Sequence, residues 1–425
     1  MNKKIISLLL FAFLIRLIFL LFVYYNDEQG ILSTDSNDYI KLANRIISDF
    51  SYKKPEQPEI FRVPGYPFFL AIVIYLFGKH FFVIAFIQII LDTLTCFLLW
   101  LLCKKIFIFL GKAQSEKIAL CALIFQIITV NAITFSTKIL SETLFSVIFI
   151  FLLLMIEYIN QKTVWKSLFC GVITGILCLI RAVIIPANII ILIYIGFRHK
   201  SIKILTVFII PLTLILGLWS FRNYNKTGYF GISTVPKINL YRYNACAAIA
   251  YKNNINFLKQ QNICDTNLNK FKFQKKQADF SYKMGLYEFK KDPFTFIFVH
   301  LKADINCLFP SVGFMFKMLG FKLGNGTLSV IHSNGFIEGI KYYFKDQEYL
   351  VWIMFPFLII FFAKMFFALL GIYSIGKKYP VTFFYTILIL YFILVPGPVA
   401  TPRFRVPVEG LISIFTALGI ISIRH

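Results

Sequence analysis

Apolar runs long enough to cross a lipid bilayer recur along the whole of this 425-residue sequence. A helix needs about 20 consecutive apolar residues to cross about 30 Å of hydrocarbon. Only 15% of the residues are charged and 58% are hydrophobic, whereas a globular chain carries about 25% charged residues. The sequence therefore excludes a soluble enzyme and a disordered chain, and it predicts an all-α polytopic membrane protein.

The apolar runs predict about ten transmembrane helices. They cover residues 5–25, 81–103, 118–136, 139–159, 166–181, 182–197, 202–221, 350–374, 380–396 and 407–423. A shorter run at 68–78 is below spanning length and is expected to form a re-entrant or buried helix. Lysine-rich connections such as Lys104-Lys105 orient the chain with both termini in the cytoplasm. We therefore expect a multi-pass protein of the inner (plasma) membrane.

The expected organisation has three parts. Residues 1–221 form an N-terminal transmembrane module, whose first external loop, 26–66, carries the candidate catalytic residues. Residues 222–349 are the main polar block. Moderately apolar pieces within it, such as 293–299, predict a small mixed extracytoplasmic domain with helices lying against the membrane. Residues 350–425 supply the C-terminal transmembrane helices.

Charge and cysteine content exclude two further classes of site. The formal net charge of +24 fits lysines that flank membrane spans and contact anionic headgroups. No basic module separates from the hydrophobic matrix, so we predict no nucleic-acid partner. The eight cysteines form no CxxC or Cys/His cluster with metal spacing, so a zinc site is not expected. A disulfide between Cys246 and Cys264 is compatible with an extracytoplasmic segment, and the sequence leaves it open.

Four polar clusters fall on the external side of this topology, where ionisable groups are costly unless they are paired or functional. In the first, Asp35 and Tyr39 are four residues apart and share one face if a helix begins there, although Asp35 suits a helix cap equally well. The second is the stretch FRVPGYP at 61–67. Its prolines and Gly65 restrict and turn the backbone, so Arg62 is held with little freedom. Snorkelling of Arg62 to lipid headgroups is the alternative.

The third and fourth clusters open the fourth and last spans. Leu140-Ser141-Glu142-Thr143 places a carboxylate at a helix start, where it also suits the helix dipole. In Pro402-Arg403-Phe404-Arg405-Val406-Pro407, two arginines between prolines suit an anion. Positive charge on the external side opposes the positive-inside bias, so a purely topological role is disfavoured.

Together these clusters place carboxylates and fixed arginines at one membrane face. A carboxylate takes a proton from an attacking hydroxyl, and arginines bind phosphate and stabilise charge on a departing one. Substrates that present a phosphate at a membrane face and carry a long apolar tail are polyprenyl phosphates that bear sugars.

On these residues the chain resembles the GT-C superfamily of integral-membrane glycosyltransferases. It is similar to the bacterial branch that contains aminoarabinose (lipid A) transferases and protein mannosyltransferases. The points of match occur in the expected order, at Asp35 with Tyr39, Phe61 to Pro67, Ser141 to Thr143, Trp219 to Tyr224, and Arg403 to Pro407. One departure is that this branch usually has Asp-Glu at the first motif, where this chain has Asp35-Ser36, so the resemblance leaves the acceptor open.

The resemblance implies Asp35 as the catalytic base, with Asp38 as the fallback. It also implies that three arginines lie near the lipid phosphate and that Glu142 lies near the sugar or acceptor. The predicted substrate-binding residues are Asp38, Tyr39, Arg62, Tyr66, Glu142, Arg403 and Arg405.

The predicted function is an inverting transfer of a sugar from a polyprenyl-phosphate donor to an acceptor hydroxyl at the extracytoplasmic face. The acceptor is a lipid, a glycan or a protein, as in lipid A or protein glycosylation, and we expect no cofactor and no metal. A transporter or flippase for a lipid-linked sugar is one alternative. It requires ionisable groups within spans, where this chain has few beyond Arg16 and Asp92. An O-antigen polymerase or ligase is the other alternative, and it differs in using a diphosphate-linked donor.

Overall fold

The chain folds, in a computed structural model, into a bundle of α-helices joined by short connections. The structure describes residues 3–160, 162–324, 335–345, 347, 349–376 and 380–422. In these ranges it contains helices and no strand, apart from an isolated bridge between Lys53 and Pro58. The predicted all-α fold class is confirmed.

Ten helices precede the long polar segment. They are α1 Lys3–Asn26, α2 Thr34–Asp49, α3 Gly65–Phe77, α4 Phe81–Ile106, α5 Lys112–Ile127, α6 Val130–Ser136, α7 Ser141–Ile156, α8 Val164–Ile180, α9 Ile184–His199 and α10 Ile202–Thr227. The predicted short helix is α3, with 13 residues. Helix α10 continues to Thr227, because the sequence after residue 221 keeps a helical pattern until Gly228, which has a positive φ of 70°.

The second part of the chain begins with short helices and ends with long ones. They are α11 Val235–Asn239, α12 Cys246–Lys252, α13 Phe257–Asn269, α14 Gln274–Lys291, α15 Pro293–Asp304, α16 Val312–Met318, α17 Phe336–Phe344, α18 Tyr349–Gly376, α19 Pro380–Leu394 and α20 Glu409–Ser422. A π-helical turn covers Leu240–Ala245, and a 3-10 segment, Pro402–Val408, leads into α20. The disulfide that the sequence left open joins Cys246 on α12 to Cys264 on α13.

The described residues of the segment between α10 and α18 form short helices joined by turns. The sequence predicted a small mixed domain in this part of the chain. The described residues of the segment contain helices and no strand. Alternation of polar and apolar residues is weak in this segment, which favours short helices over strands.

Five helices in the described ranges are long and apolar enough to cross a bilayer, and the pair α5–α6, bent by 55°, would make a sixth. Five shorter apolar helices accompany them, at Gly65–Phe77, Ser141–Ile156, Val164–Ile180, Ile184–His199 and Val381–Leu394. Every predicted span therefore contains an apolar helix. Because only some of these helices reach spanning length, the predicted number of ten transmembrane helices is not confirmed. The chain is a multi-pass membrane protein.

Close packing of α18 against α20 fixes the position of the segment that carries the two clustered arginines. A Cβ added at Gly371 would lie 2.0 Å from the carbonyl oxygen of Phe415, and one at Gly419 would lie 2.0 Å from that of Phe367. Only glycine permits this approach of two backbones. The 3-10 segment before α20 is thereby held against the rest of the bundle.

Two of the charged residues that the sequence places within spans, Arg16 and Asp92, pair with each other. Arg16 Nε donates to Asp92 Oδ2 at 2.5 Å, and both side chains are buried. Nη1 of Arg16 also donates to the carbonyl of Ala12 at 3.0 Å. The pair joins α1 to α4 and leaves each charge compensated inside the bundle.

Candidate active site

The four polar clusters of the sequence meet at one end of the helix bundle. They come from the first turn of α2, the loop before α3, the first turn of α7 and the 3-10 segment before α20. Six of the predicted residues contact one another there through ion pairs or ring contacts, namely Asp35, Asp38, Tyr39, Arg62, Glu142 and Arg403. Tyr66 joins this group through the ring of Tyr39, whereas Arg405 lies elsewhere.

Asp35 occupies the centre of this cluster, between two arginines. Its Oδ1 accepts from Arg62 Nη2 and its Oδ2 from Arg403 Nη1, each at 2.6 Å. Burial alone would raise the pKa of Asp35, but the charges and hydrogen bonds of Arg62 and Arg403 lower it to about 2. Asp35 is therefore ionised at neutral pH, and both of its oxygens are already engaged.

The capping of α2 sets the direction of the Asp35 side chain. Ser33 and Ser36 form a reciprocal capping box, in which Ser36 Oγ accepts from Ser33 N at 2.9 Å. Ser36 Oγ also donates to the carbonyl of Ile139 at 2.7 Å. Serines therefore cap α2, and Asp35 is left free for the arginines.

Arg62 is held by the rigid stretch that the sequence singled out. Its Nη2 contacts Asp38 Oδ2 at 3.2 Å, and its guanidinium lies 5.1 Å from the ring centroids of both Tyr39 and Phe61. The carboxylate of Glu59 accepts from the backbone N–H of Phe61 and Arg62 at 2.6 and 2.9 Å. The hydrogen bonds to Glu59 fix the backbone of the loop, and the two rings pack against the side chain. Together they fix the direction in which the Arg62 guanidinium points.

Gly65 in the same stretch permits α3 to pack against α8. A Cβ at Gly65 would lie 2.7 Å from the carbonyl oxygen of Leu179. A larger residue would push the FRVPGYP stretch away from the bundle and displace Arg62.

Glu142 is the second carboxylate of the cluster and is fully buried. Its Oε1 accepts from Arg403 Nε and also pairs with Arg181 Nη1. Its Oε2 has no hydrogen-bond partner, although a buried carboxylate oxygen is normally paired. Arg181 was not among the predicted site residues. The one signal for it in the sequence is a lone arginine between two apolar runs.

Tyr66 and Gln88 connect the cluster to the membrane-spanning part. The rings of Tyr39 and Tyr66 meet edge to face with centroids 4.9 Å apart, and Tyr66 donates to Gln88 Oε1 at 2.7 Å. Gln88 Nε2 donates to the carbonyl of Lys138 at 2.5 Å. Gln88 was also missed, because a single amide within the apolar run of α4 carries no motif.

The short segment 136–140 holds the start of α2 in place. Ile139 N donates to the carbonyl of Ile31 at 3.0 Å, and Lys138 Nζ donates to that of Leu32 at 2.9 Å. Burial lowers the pKa of Lys138 to about 8. The connection between α6 and α7 thereby ties Asp35 and Glu142 into one unit.

Arg405 does not join the Asp35 cluster, although the sequence places it beside Arg403. Its side chain is 1% exposed, its Nε donates to Glu409 Oε1 at 2.8 Å, and its Nη1 donates to the carbonyl of Cys307. The turn of the 3-10 segment separates the two arginines, because residues two apart in such a helix point in different directions.

The Asp35 cluster is balanced in charge, and two of its fully buried polar atoms have no hydrogen-bond partner. Three carboxylates, Asp35, Asp38 and Glu142, face three guanidinium groups, Arg62, Arg181 and Arg403. The unpartnered buried atoms are Arg62 Nε, a donor, and Glu142 Oε2, an acceptor. An incoming molecule with both a phosphate and hydroxyl groups matches this chemistry, since arginine binds phosphate and a carboxylate accepts from a hydroxyl.

Solved structures with a similar fold belong to an archaeal oligosaccharyltransferase. The apo form from Archaeoglobus fulgidus matches with a TM-score of 0.54 at 13% identity, over 99% of this chain and 51% of that chain. The form tethered to an acceptor peptide that contains the NVT sequon matches with a TM-score of 0.53 at 13% identity, over 99% and 50%. The complex with an inhibitory peptide and a dolichol-phosphate matches with a TM-score of 0.50 at 14% identity, over 99% and 50%.

These matches define the class of the protein by its fold. The chain shares this fold, which is the fold expected from its resemblance to the GT-C integral-membrane glycosyltransferases. The chain spans about half the length of these structural relatives.

More particularly, the family model for dolichyl-phosphate-mannose-protein mannosyltransferase matches residues 54–222. This range contains Arg62, Glu142 and Arg181 of the cluster. No curated protein matches the chain in sequence.

Proposed function

We propose that this chain is an inverting glycosyltransferase that uses a sugar carried on polyprenyl monophosphate. The observation that supports this most is the convergence of Asp35, Arg62 and Arg403 on one another from distant parts of the sequence. A base and two phosphate-binding groups at one end of a membrane bundle suit a donor whose phosphate lies at the bilayer surface. In this proposal that end faces the extracytoplasmic side of the plasma membrane, and residues 222–349 form a domain over it.

The transfer is a single displacement. Asp35 takes the proton from the acceptor hydroxyl, the freed oxygen attacks the anomeric carbon, and the bond from that carbon to the phosphate oxygen breaks. The electron pair of the broken bond leaves with the phosphate, where Arg62 and Arg403 stabilise it. Attack opposite to the leaving phosphate inverts the anomeric centre.

Asp35 must exchange partners to act as this base, because both of its oxygens accept from arginine in the structure. A donor phosphate competes for the same guanidinium groups. Its arrival frees a carboxylate oxygen for the acceptor hydroxyl, and removal of a cation from Asp35 raises its proton affinity. The unpaired Glu142 Oε2 accepts from a hydroxyl of the sugar or the acceptor.

The archaeal relatives are an oligosaccharyltransferase in complexes with peptides. For this chain the acceptor class stays open among lipid, glycan and protein, since the fold alone is shared and only half of the relatives' length is covered.

The test is transfer of radiolabelled sugar from a panel of polyprenyl-phosphate sugars, using membranes that contain wild type or Asp35→Asn. Loss of a general base lowers transfer by about 10²-fold or more. Asp49→Asn is a matched control, because Asp49 lies exposed on the same helix α2. Label that moves with wild type and Asp49→Asn, but not with Asp35→Asn, supports the proposal and identifies the sugar. Equal transfer by Asp35→Asn removes Asp35 from the mechanism, and no transfer from any monophosphate donor overturns the donor assignment.

A further inference from the structure

Residues 59–62, which we call the Arg62 loop, lie outside any helix, and all of their backbone N–H and C=O groups are hydrogen-bonded. Glu59 N donates to the carbonyl of Tyr52 at 3.2 Å, and the Tyr52 hydroxyl donates to the carbonyl of Arg62 at 3.0 Å. The N–H groups of Phe61 and Arg62 donate to the Glu59 carboxylate. Because each peptide group of a buried irregular segment needs a partner from elsewhere, the partners of the loop determine its shape.

Ile60, in the middle of the Arg62 loop, is held on both sides by residues that follow α10. Its N–H donates to Gln274 Oε1 at 3.0 Å, and its carbonyl accepts from Thr234 N at 2.9 Å. Gln274 Nε2 also donates to Glu59 Oε1 at 3.1 Å, the atom that accepts from the next two N–H groups of the loop. The Gln274 side chain is buried. One buried amide therefore orders both the backbone of the loop and the carboxylate that caps it.

Arg222, near the end of α10, holds the start of the Arg62 loop through two backbone carbonyls. Its Nη1 donates to the carbonyl of Glu59 at 2.8 Å, and its Nη2 donates to that of Tyr52 at 2.5 Å. The guanidinium lies 5.0 Å from the ring centroid of Trp219, and the Trp219 ring packs edge to face on Tyr52. Hydrogen bonds from a charged donor are stronger than those from a neutral one, so this contact fixes the start of the loop against α10.

The turn after α10 holds the end of the same loop. Two side chains of α10, Trp219 and Asn223, donate to carbonyls of this turn at 3.1 and 2.7 Å. The turn carries Ser233, whose Oγ donates to the carbonyl of Phe61 at 2.6 Å. The sequence motif at 219–224, which contributes no member to the Asp35 cluster, therefore acts on the Arg62 loop from two directions.

We propose that three side chains of this second region position Arg62 and thereby set the phosphate-binding geometry of the candidate active site. They are Arg222, Ser233 and Gln274. Arg62 is the last residue of the loop, and its Nη2 donates to Asp35 Oδ1 at 2.6 Å. A loop that loses its shape moves this guanidinium away from the cluster, and small misplacements of such a group are costly. The inference rests on the proposed function for the binding of phosphate by Arg62.

The first experiment measures the hold on the loop without turnover. Gln274→Met keeps the length and packing of the side chain but removes its hydrogen bonds to the loop. Amide hydrogen exchange of residues 60–62, followed by mass spectrometry on the full-length protein in phosphatidylcholine nanodiscs, should become about tenfold faster or more. Exchange at the wild-type rate in Gln274→Met overturns the proposal.

Gln260→Met is the matched control for this measurement. Gln260 is 7% exposed, against 5% for Gln274, and its side-chain amide contacts Cys264 within α13. Loop exchange in Gln260→Met should equal that of wild type. Equal acceleration by both variants overturns the proposal, because it would reflect general loosening of the polar segment. Ser233→Ala, which removes the donor to the Phe61 carbonyl, carries the same test if Gln274→Met does not fold.

The second experiment asks whether the loop acts through Arg62. Gln274→Met should lower kcat/KM for the donor by about tenfold in an otherwise wild-type protein. In an Arg62→Gln background the same change should have little further effect, because the side chain that it positions is absent. Equal losses with and without Arg62 overturn the proposal, since a general loss of stability acts in both backgrounds.

The two experiments separate a failure of this inference from a failure of the proposed function. If wild type transfers no sugar, the proposed function fails, and hydrogen exchange still decides whether Gln274 holds the loop. If wild type transfers sugar and Gln274→Met matches its kcat/KM, the positioning role is wrong and the proposed function stands.

Discussion

Arg403 donates through Nη1 to Asp35 Oδ2 at 2.6 Å, across 368 residues of chain. The contact joins the segment before the last helix to the first turn of α2, and Arg62 holds the other oxygen of the same carboxylate. The proposed base therefore has its observed environment only when the N-terminal and C-terminal parts of the chain are packed together. In that environment the carboxylate is ionised and doubly paired.

The pH dependence of catalysis should reflect this pairing. Because the pKa of Asp35 is lowered to about 2, the carboxylate is deprotonated throughout the range above about pH 4. Its contribution to activity and to stability is present at neutral pH and is lost only as the pH falls toward 2. We expect kcat/KM for the donor, which reports groups of the free enzyme, to show no acid limb from Asp35 between about pH 5 and 8.

Arg403→Gln should shift the acid limb of the kcat/KM profile to higher pH, because one of the two cations that lower the pKa of Asp35 is removed. The measurement is the pH profile of the residual kcat/KM of Arg403→Gln beside that of wild type. A profile of the same shape in both proteins would mean that Arg403 does not set the ionisation of the base.

Glu142 should support turnover by holding Arg403. It accepts from both Arg403 and Arg181, and Glu142→Gln removes the charge that orients them. We expect kcat to fall by about 10- to 100-fold, because small misplacements of a catalytic group cost about this much. Glu116→Gln is the control, since Glu116 also pairs with a cation, Lys104, but far from the cluster. Equal kcat values for the two variants would exclude a role for Glu142.

The sequence predicted the members of the Asp35 cluster better than it predicted their surroundings. Asp35, Arg62, Glu142 and Arg403 occur in polar motifs at the ends of apolar runs, so topology alone brings them to one surface. Arg405 lies in the same motif as Arg403 but faces the interior, because the prolines impose a 3-10 turn and not an extended segment in which residues two apart share a side.

Arg181 and Gln88 illustrate the limit of the sequence in another way. Each is a single polar residue beside apolar ones, and its importance arises from tertiary contacts with Glu142 and Tyr66. No local pattern distinguishes such a residue from a polar group that pairs within its own helix. The spacing of motifs predicts the reactive groups, whereas the side chains that orient them depend on helix packing.

Gln88 should act as a positioning residue through Tyr66 and the segment 136–140. Gln88→Leu removes the hydrogen bonds to Tyr66 and to the carbonyl of Lys138, which leaves that buried carbonyl short of a donor. We expect kcat to fall while KM for the donor changes little, because the arginines keep their contacts. Tyr66→Phe should produce a smaller loss by breaking the same link.

The two changes combined provide the control. Because Gln88 and Tyr66 contact each other, the double variant should lose less than the sum of the single losses. Strict additivity of the two losses in kcat, or a rise in KM alone, would contradict a shared positioning role.

The pair of Arg16 and Asp92 should govern stability and not catalysis. Both side chains are buried within the bundle, so Asp92→Ala leaves an uncompensated arginine inside the membrane-spanning part. Breaking one half of a buried pair costs about 3–5 kcal/mol, and we expect a clearly lower thermal unfolding midpoint in detergent. The double change Arg16→Met and Asp92→Leu removes both charges and should recover most of the lost stability. An apolar pair of similar size often stabilises a protein as much as a buried ion pair, or more. Sugar transfer by the recovered double variant should match wild type. A double variant that is stable but inactive would instead indicate that these two charges take part in the movement of substrate, as the transporter alternative requires.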